Sequence, residues 1–157
     1  MARIVHADDY PTLREIIRDS LKEYCHEALP AENGREALDL IHKGGIDLLI
    51  TDGQMPKMDG FELIARLEAE GHIMPILILS GMQVDMLSAD ILASIKKYKG
   101  QIIYGEKPMN EEVLLSATNQ LLRKELIAEY GVYVHDIHIH DSNQCAIMIR
   151  DILLQKG

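Results

Sequence analysis

The segment that decides the fold reads Asp47-Leu48-Leu49-Ile50-Thr51-Asp52-Gly53. Its uninterrupted apolar run is typical of a parallel strand that is covered by helices on both faces. Asp52 comes directly after this run, so the predicted strand ends in a carboxylate. A second run of the same kind, Ile76-Leu77-Ile78-Leu79, is followed by Ser80. The sequence therefore predicts a buried parallel sheet whose strand ends carry polar side chains.

Strand patterns and helix patterns alternate along the whole chain. Amphipathic helical spacing follows each predicted strand, and Asn33 and Asp59 are predicted N-caps because a glutamate stands three residues after each. The last two helices are predicted over residues 84–98 and 113–127. Five strand–helix repeats predict a doubly wound α/β fold, with helices on both faces of the sheet. The predicted strands cover residues 4–7, 27–29, 47–51, 76–79 and 101–104.

Composition and charge narrow the class of protein. The chain has 157 residues, a formal net charge of -9 and 47% hydrophobic residues, which indicates a globular protein rather than a disordered one or a coiled coil. Its acidity argues against nucleic acid or an anionic membrane as a direct partner, because both require a basic surface. No apolar segment approaches the ~18 residues of a membrane span, and no signal peptide is evident. We therefore expect a cytoplasmic protein in which Cys25 and Cys145 are free thiols.

Polar side chains follow four of the five predicted strands. Asp8 and Asp9 follow the first, Asp52 the third, Ser80 the fourth and Lys107 the fifth. Because the carboxyl ends of parallel strands share one edge, these side chains should meet there. Three carboxylates ~4 Å apart repel one another by several kcal/mol, and Mg²⁺ relieves that repulsion while it accepts oxygen ligands. The pattern predicts a Mg²⁺ site at which the central carboxylate attacks a phosphoryl group and the ammonium and hydroxyl act as donors.

Four sequence blocks resemble the receiver domain of two-component response regulators, of the single-domain chemotaxis type. The resemblance covers residues 1–128 and implies a flavodoxin-like sheet with strand order 2-1-3-4-5. Residues 129–157 then form a C-terminal extension. The first strand departs from the family pattern, because His6 places a polar group near the core. The matching blocks are Asp8-Asp9, Thr51-Asp52-Gly53-Gln54-Met55-Pro56-Lys57-Met58-Asp59-Gly60, Ser80-Gly81 and Lys107-Pro108.

The resemblance implies a role for each matching residue of the site. Asp52 would accept a phosphoryl group from a phosphohistidine on a sensor histidine kinase or phosphotransfer protein. Mg²⁺ would be held by Asp52, the backbone carbonyl of Gln54, and Asp8 or Asp9. In this family the second acid, here Asp9, is usually the direct ligand, and the first acts through water. Lys107 would pair with the phosphoryl oxygens, and the bond that follows it is typically cis.

Two further residues are implied as the switch that reports phosphorylation. Ser80 would move toward the phosphoryl group and Tyr104 would rotate inward with it, which is a shift between two existing arrangements. The changed surface would then contact a downstream protein. The family places control of the phosphoryl lifetime at the positions of Gln54 and Met82. Neither residue supplies an acid or a base that could activate water, so we expect self-dephosphorylation to be slow. We therefore expect a regulatory phosphoacceptor protein rather than an enzyme that acts on other substrates.

Other interpretations stay open at this point. The chain could be a constitutive pseudo-receiver scaffold, or a phosphohydrolase with an aspartyl nucleophile. Such hydrolases carry a second acid two residues after the nucleophile, where this chain has Gln54. Among the individual residues, Asp9 could be a helix cap, Ser80 an ordinary turn residue and Tyr104 a strand aromatic packed on the fourth helix.

The C-terminal extension has a pattern of its own. Weak alternation over residues 132–140 predicts an exposed strand, and Asp141-Ser142 predicts the start of a helix with a wide apolar surface. That surface must pack on the receiver or on a second subunit, which makes a homodimer possible. His135, His138 and His140 are either a solvated strand face or metal ligands. The extension is too short for a winged-helix DNA-binding domain, so we expect protein contact as the output.

Overall fold

The computed structural model describes residues 1–108, 110–123 and 132–136 of the chain. Within them, strands and helices alternate, and all strands are parallel in one sheet of order β2-β1-β3-β4-β5-β6. The predicted α/β fold and the predicted order of the first five strands are confirmed. The elements are β1 (Arg3–Ala7), α1 (Pro11–Glu23), β2 (Glu27–Ala31), α2 (Gly34–His42), β3 (Leu48–Asp52), α3 (Gly60–Ala69), β4 (Ile76–Ser80), a 3-10 helix (Val84–Met86), α4 (Ala89–Lys97), β5 (Ile102–Glu106), α5 (Glu111–Arg123) and β6 (Val132–Asp136).

The strand β6 extends the sheet beyond the five strands of the receiver pattern. It pairs with β5 in parallel register, with Val132 opposite Ile102 and Asp136 opposite Glu106. The sequence predicts a strand in this region but does not identify its partner. The helix predicted after Asp141-Ser142 lies outside the described residues, as do the tail residues His138, His140 and Cys145. Those parts of the interpretation, and the boundary at residue 128, stay predictions.

Helix caps show where the local sequence is decisive. Asn33 accepts a hydrogen bond of 3.0 Å from the backbone N–H of Glu36, and Asp59 accepts one of 2.8 Å from Glu62, so both predicted N-caps are confirmed. The helix predicted over residues 84–98 is wrong at its start. A 3-10 turn comes first, the chain is extended at Leu87, and α4 begins only after Ser88, which caps it through the N–H of Ile91.

The sheet separates two hydrophobic cores. One lies under α2, α3 and α4, the other lies under α1 and α5, and β3 and β4 are buried along their whole length. His6 of β1 is 2% exposed, and neither of its ring nitrogens has a hydrogen-bond partner among the described residues. Cys25 is an exposed free thiol. In the part of the chain that the structure describes, no helix combines the length and apolar character needed to cross a membrane.

Candidate functional site

Lys107 joins the ends of three strands in one ion-pair network. Its Nζ lies 2.8 Å from Oδ2 of Asp8 and 3.2 Å from Oδ2 of Asp52. Asp8 follows β1, Asp52 ends β3 and Lys107 follows β5, so the topology brings together groups that are far apart in sequence. The side chain of Asp8 is 1% exposed, that of Asp52 is 12% exposed and that of Lys107 is 25% exposed. The predicted meeting of these three residues is confirmed.

Asp8 is fixed in place by backbone groups and by an arginine. Its Oδ1 accepts a hydrogen bond of 2.9 Å from the N–H of Tyr10, which leaves Oδ2 for Lys107. Its own carbonyl accepts a bond of 2.6 Å from Nη1 of Arg14. Arg14 has no place in the sequence-based site, because nothing in the spacing of α1 distinguishes it from a solvent-exposed arginine. It holds the loop after β1 against the first turns of α1.

Asp9 completes an acidic cluster. One carboxylate oxygen from each of Asp8, Asp9 and Asp52 lies within 4.8 Å of the others. Asp9 is exposed and is not a helix cap, because α1 has Tyr10 at its N-cap position and no side-chain cap hydrogen bond. The cluster offers only carboxylate oxygens, and hard divalent cations prefer such ligands. The donor chemistry therefore fits the predicted Mg²⁺.

The electrostatics of the site follow from its partial burial. Burial raises the pKa of Asp52 above its ordinary value, and the Lys107 ammonium offsets part of that rise. Burial alone would lower the pKa of Lys107, but the hydrogen bond to Asp8 and the charge of Asp52 outweigh it, so that pKa is raised. Lys107 therefore stays protonated at neutral pH. A permanent positive charge beside Asp52 is suited to the oxygens of a phosphoryl group.

Two glycines allow the loop after β3 to pack against the site. A Cβ on Gly60 would lie 2.0 Å from the backbone oxygen of Asp52, so no side chain fits there. A Cβ on Gly53 would lie 2.9 Å from both the Phe61 ring and the Ser80 hydroxyl. The exposed Gln54 follows, and its N–H donates a bond of 3.3 Å to Oδ1 of Asp52. The direction of its carbonyl toward a metal stays a prediction.

Ser80 is tied to both neighbouring loops at the edge of the site. Its hydroxyl accepts a hydrogen bond of 3.1 Å from the N–H of Met82, and its carbonyl accepts one of 2.7 Å from the N–H of Lys107. The peptide bond between Lys107 and Pro108 is cis, as the resemblance implies. The hydrogen bond from the N–H of Lys107 to the carbonyl of Ser80 fixes the position of the Lys107 backbone beside the end of β4. Ser80 therefore helps to position the lysine as well as offering a hydroxyl.

Tyr104 points into the protein rather than into solvent. It is completely buried in the core under α4, and its hydroxyl donates a bond of 2.6 Å to the carbonyl of Met82. Burial raises its pKa to about 12, while a hydrogen bond with Ser80 acts in the opposite direction. The neighbouring Glu106 accepts a bond of 3.0 Å from the N–H of Val84. This contact, which the sequence pattern does not reveal, anchors the loop after β4 to the end of β5.

Together these residues form a polar cluster at the carboxyl edge of a doubly wound sheet, made of three carboxylates, a lysine and a hydroxyl. The comparison with known families is specific: the model of the response regulator receiver domain matches residues 4–119. The chain belongs to the receiver-domain family of two-component response regulators.

Individual relatives agree with this assignment. The chain is 36% identical over 122 residues to the response regulator MprA of Mycolicibacterium vanbaalenii, a match of 78% of this chain and only 51% of that protein. It is 33% identical over 124 residues to a chemotaxis protein CheY homologue of Campylobacter jejuni, covering 76% of this chain and 92% of that protein. The crystal structure of TrrA from Thermotoga maritima in complex with Mg²⁺-BeF superposes with a TM-score of 0.65 at 30% identity, covering 78% of this chain and all of that one.

Proposed function

We propose that this chain is a phosphorylation-dependent signalling switch in which Asp52 accepts a phosphoryl group. The donor would be a phosphohistidine of a sensor histidine kinase or phosphotransfer protein. The observation that carries the proposal is the position of Lys107 Nζ, 3.2 Å from Asp52 and 2.8 Å from Asp8. An ammonium held beside the acceptor carboxylate is placed to receive phosphoryl oxygens as their charge develops.

The chain's own residues would act as follows. An oxygen of Asp52 bonds to phosphorus while the bond from phosphorus to the donor's imidazole nitrogen breaks, and that nitrogen keeps the electron pair. The acceptor is reachable because 12% of its side chain is exposed. Lys107 then pairs with the transferred group, and Ser80 donates to it once its hydroxyl turns away from the N–H of Met82.

We propose Mg²⁺ as the cofactor of this site. Asp9 would be the direct ligand, Asp8 would act through water, and Asp52 and the carbonyl of Gln54 would complete the set. The all-carboxylate cluster, with one oxygen of each acid within 4.8 Å of the others, supports this assignment. When bound, Mg²⁺ supplies neutralisation of the negative charge that accumulates on the carboxylates and phosphoryl oxygens. That TrrA was crystallised in complex with Mg²⁺-BeF adds support from a relative.

The alternatives fit the site less well. A pseudo-receiver scaffold does not require Lys107 to pair with the carboxylates of both Asp8 and Asp52. A phosphohydrolase would need an acid or base where the exposed amide of Gln54 stands. We therefore propose a regulatory role in which Ser80 and Tyr104 form the switch and the phosphorylated receiver, residues 1–128, contacts a downstream protein in the cytoplasm. The extension, residues 129–157, would supply a packing or homodimer surface.

Phosphorylation of the full chain tests the proposal directly. Incubation with Mg²⁺ and acetyl phosphate or phosphoramidate should add the mass of one phosphoryl group, and Asp52→Asn should abolish the gain. Asp59→Asn is the matched control, because it changes a carboxylate in the same loop and asparagine also caps helices well. This variant should be phosphorylated like the wild type. A wild type that gains no mass, or an Asp52→Asn chain that gains the same mass, would contradict the proposal.

A further inference from the structure

A second cluster of potential metal ligands lies at the opposite end of the sheet. His42 is the last residue of α2, and Glu70 and His72 follow α3, so all three lie near the amino ends of β3 and β4. Nε2 of His42 is 2.7 Å from Oε1 of Glu70, and Nε2 of His72 is 3.2 Å from the same oxygen. Two imidazoles and one carboxylate oxygen thus converge on one point of the surface.

The remaining contacts orient these ligands. Nε of Arg66 lies 2.9 Å from Oε2 of Glu70, so the arginine fixes the carboxylate through the oxygen that the histidines do not use. The rings of His42 and His72 are stacked, with centroids 6.4 Å apart and planes inclined by 29°. The contacts with His42, His72 and Arg66 together hold the Glu70 carboxylate in one orientation.

We propose that His42, Glu70 and His72 form a binding site for a transition-metal ion of the Zn²⁺ type. Neutral imidazole and carboxylate are the ligands of open three-residue zinc sites, in which water takes the fourth position. With bonds of about 2.0–2.1 Å in a tetrahedron, neighbouring ligand atoms lie about 3.3 Å apart. The observed distance to His72 is 3.2 Å already, and that to His42 needs a small widening from 2.7 Å.

Binding would exchange one set of interactions for another without rebuilding the fold. A carboxylate can only accept, so each Nε2 carries the proton in the contacts with Glu70. An ion replaces those two hydrogen bonds, and each ring then carries its proton on Nδ1. The ligand side chains are 45%, 25% and 28% exposed for His42, Glu70 and His72, so the ion reaches them from solvent.

The proposed zinc site differs in chemistry from the acidic cluster of Asp8, Asp9 and Asp52. The acidic cluster offers only carboxylates, which suit Mg²⁺, whereas imidazole ligands favour zinc-type ions over Mg²⁺. The two sites occupy opposite edges of the same parallel sheet. Zinc binding at His42, Glu70 and His72 should therefore persist when Mg²⁺ saturates the acidic cluster, and it should not require Asp52. A failure of the zinc site would leave the phosphorylation experiment unaffected.

Zinc titration of the full chain in excess Mg²⁺ tests the proposal. The titration uses as its parent a variant of the full chain with the substitutions H135Q, H138Q and H140Q. In this parent, the histidines of the C-terminal extension cannot bind zinc. Calorimetry should show one zinc site, and His42→Gln or His72→Gln should weaken it by at least about tenfold, since even the loss of an outer-sphere partner costs that much. His26→Gln is the matched control and should retain the zinc affinity of the parent, because His26 is not a proposed ligand and does not contact one in the described part of the chain.

Ring resonances of the wild-type chain supply a second readout that needs no substitution. The side-chain nitrogen signals of His42 and His72 should both shift when zinc is added, and Nε2 should change from a protonated to a metal-bound nitrogen. Equal zinc affinity in the parent, His42→Gln and His72→Gln chains would overturn the proposal. So would zinc binding that leaves both ring signals unchanged.

Discussion

The hydroxyl of Tyr104 donates a hydrogen bond of 2.6 Å to the carbonyl oxygen of Met82. This bond connects the centre of β5 to the loop that follows β4, and Tyr104 is completely buried where it forms. The same loop is held a second time by Glu106, which accepts from the N–H of Val84. The loop after Ser80 is therefore positioned by two residues of β5 as well as by its own turn.

Tyr104→Phe removes the first of these contacts and leaves the ring in place. The Met82 carbonyl then loses its partner, so we expect the free energy of unfolding to fall by about 1 kcal/mol. Urea denaturation measures the change as a lower midpoint with an unchanged slope. Tyr24→Phe is the control, because that side chain is 53% exposed and should cost little. Equal midpoints for wild type and Tyr104→Phe would contradict this account.

Lys107→Met tests the balance of charge at the cluster of Asp8, Asp9 and Asp52. Without the ammonium, the carboxylates of Asp8 and Asp52 repel each other in a partly buried site. We expect a loss of about 2 kcal/mol in the presence of EDTA, below the range for fully buried pairs because the lysine is partly exposed. Mg²⁺ should restore part of the loss, since it replaces the missing positive charge.

The matched control for that experiment is Lys96→Met, which removes an exposed lysine from α4. It should leave the free energy of unfolding almost unchanged with or without Mg²⁺. A Lys107→Met chain that is as stable as wild type in EDTA would show that the lysine does not neutralise the two carboxylates. A variant that is destabilised in EDTA but does not respond to Mg²⁺ would contradict binding of the ion at this cluster.

Sequence patterns predict elements well where the controlling interactions are local. Asn33 and Asp59 cap their helices through residues three positions away, and such spacing is visible in the sequence. The start of α4 is not visible in the same way. Val84 and Leu87 are both buried, so the apolar spacing continues across the 3-10 turn and the extended residue before Ser88. Periodicity reports burial, and here burial continues where helical geometry does not.

The contacts of the candidate site likewise fall into those that the sequence predicts and those that it does not. The meeting of Asp8, Asp52 and Lys107 could be predicted because parallel strands place their carboxyl ends at one edge. The contact between Arg14 and the carbonyl of Asp8 could not, since it depends on how α1 packs over the loop after β1. The pairing of β6 with β5 likewise depends on tertiary packing, and no local sequence pattern predicts it.

Gly60→Ala tests whether the close approach of Gly60 to the end of β3 at Asp52 requires a residue without a side chain. The new Cβ would lie 2.0 Å from the backbone oxygen of Asp52, so backbone must move and we expect a loss of about 1–3 kcal/mol. Acetyl phosphate should also phosphorylate the variant more slowly, because Asp52 shifts with its backbone. Gly81→Ala is the control, since its Cβ would meet nothing within 4 Å. If both substitutions cost the same, close approach is not what Gly60 provides.

His6 gives the fold a built-in sensitivity to acid. Burial lowers its pKa from 6.5 to about 4, with Lys107 and Arg14 adding to the effect and Asp8 opposing it. Between those two pH values the unfolded chain binds a proton that the folded chain does not. The stability contributed by neutral His6 is therefore full above pH 6.5 and is lost as the pH falls toward 4. The linked loss is roughly 3 kcal/mol over that interval.

His6→Val should remove this dependence and also remove two buried ring nitrogens that have no partner among the described residues. We expect the variant to be more stable than wild type by about 1 kcal/mol at pH 7, and by several kcal/mol at pH 4.5. Thr118→Val is the matched control, because it removes another buried polar atom that has no partner in the described part of the chain, but no titratable group. It should raise stability equally at both pH values. Urea midpoints across this range measure the difference, and a gain for His6→Val that does not grow as the pH falls would show that the imidazole is not held neutral in the core.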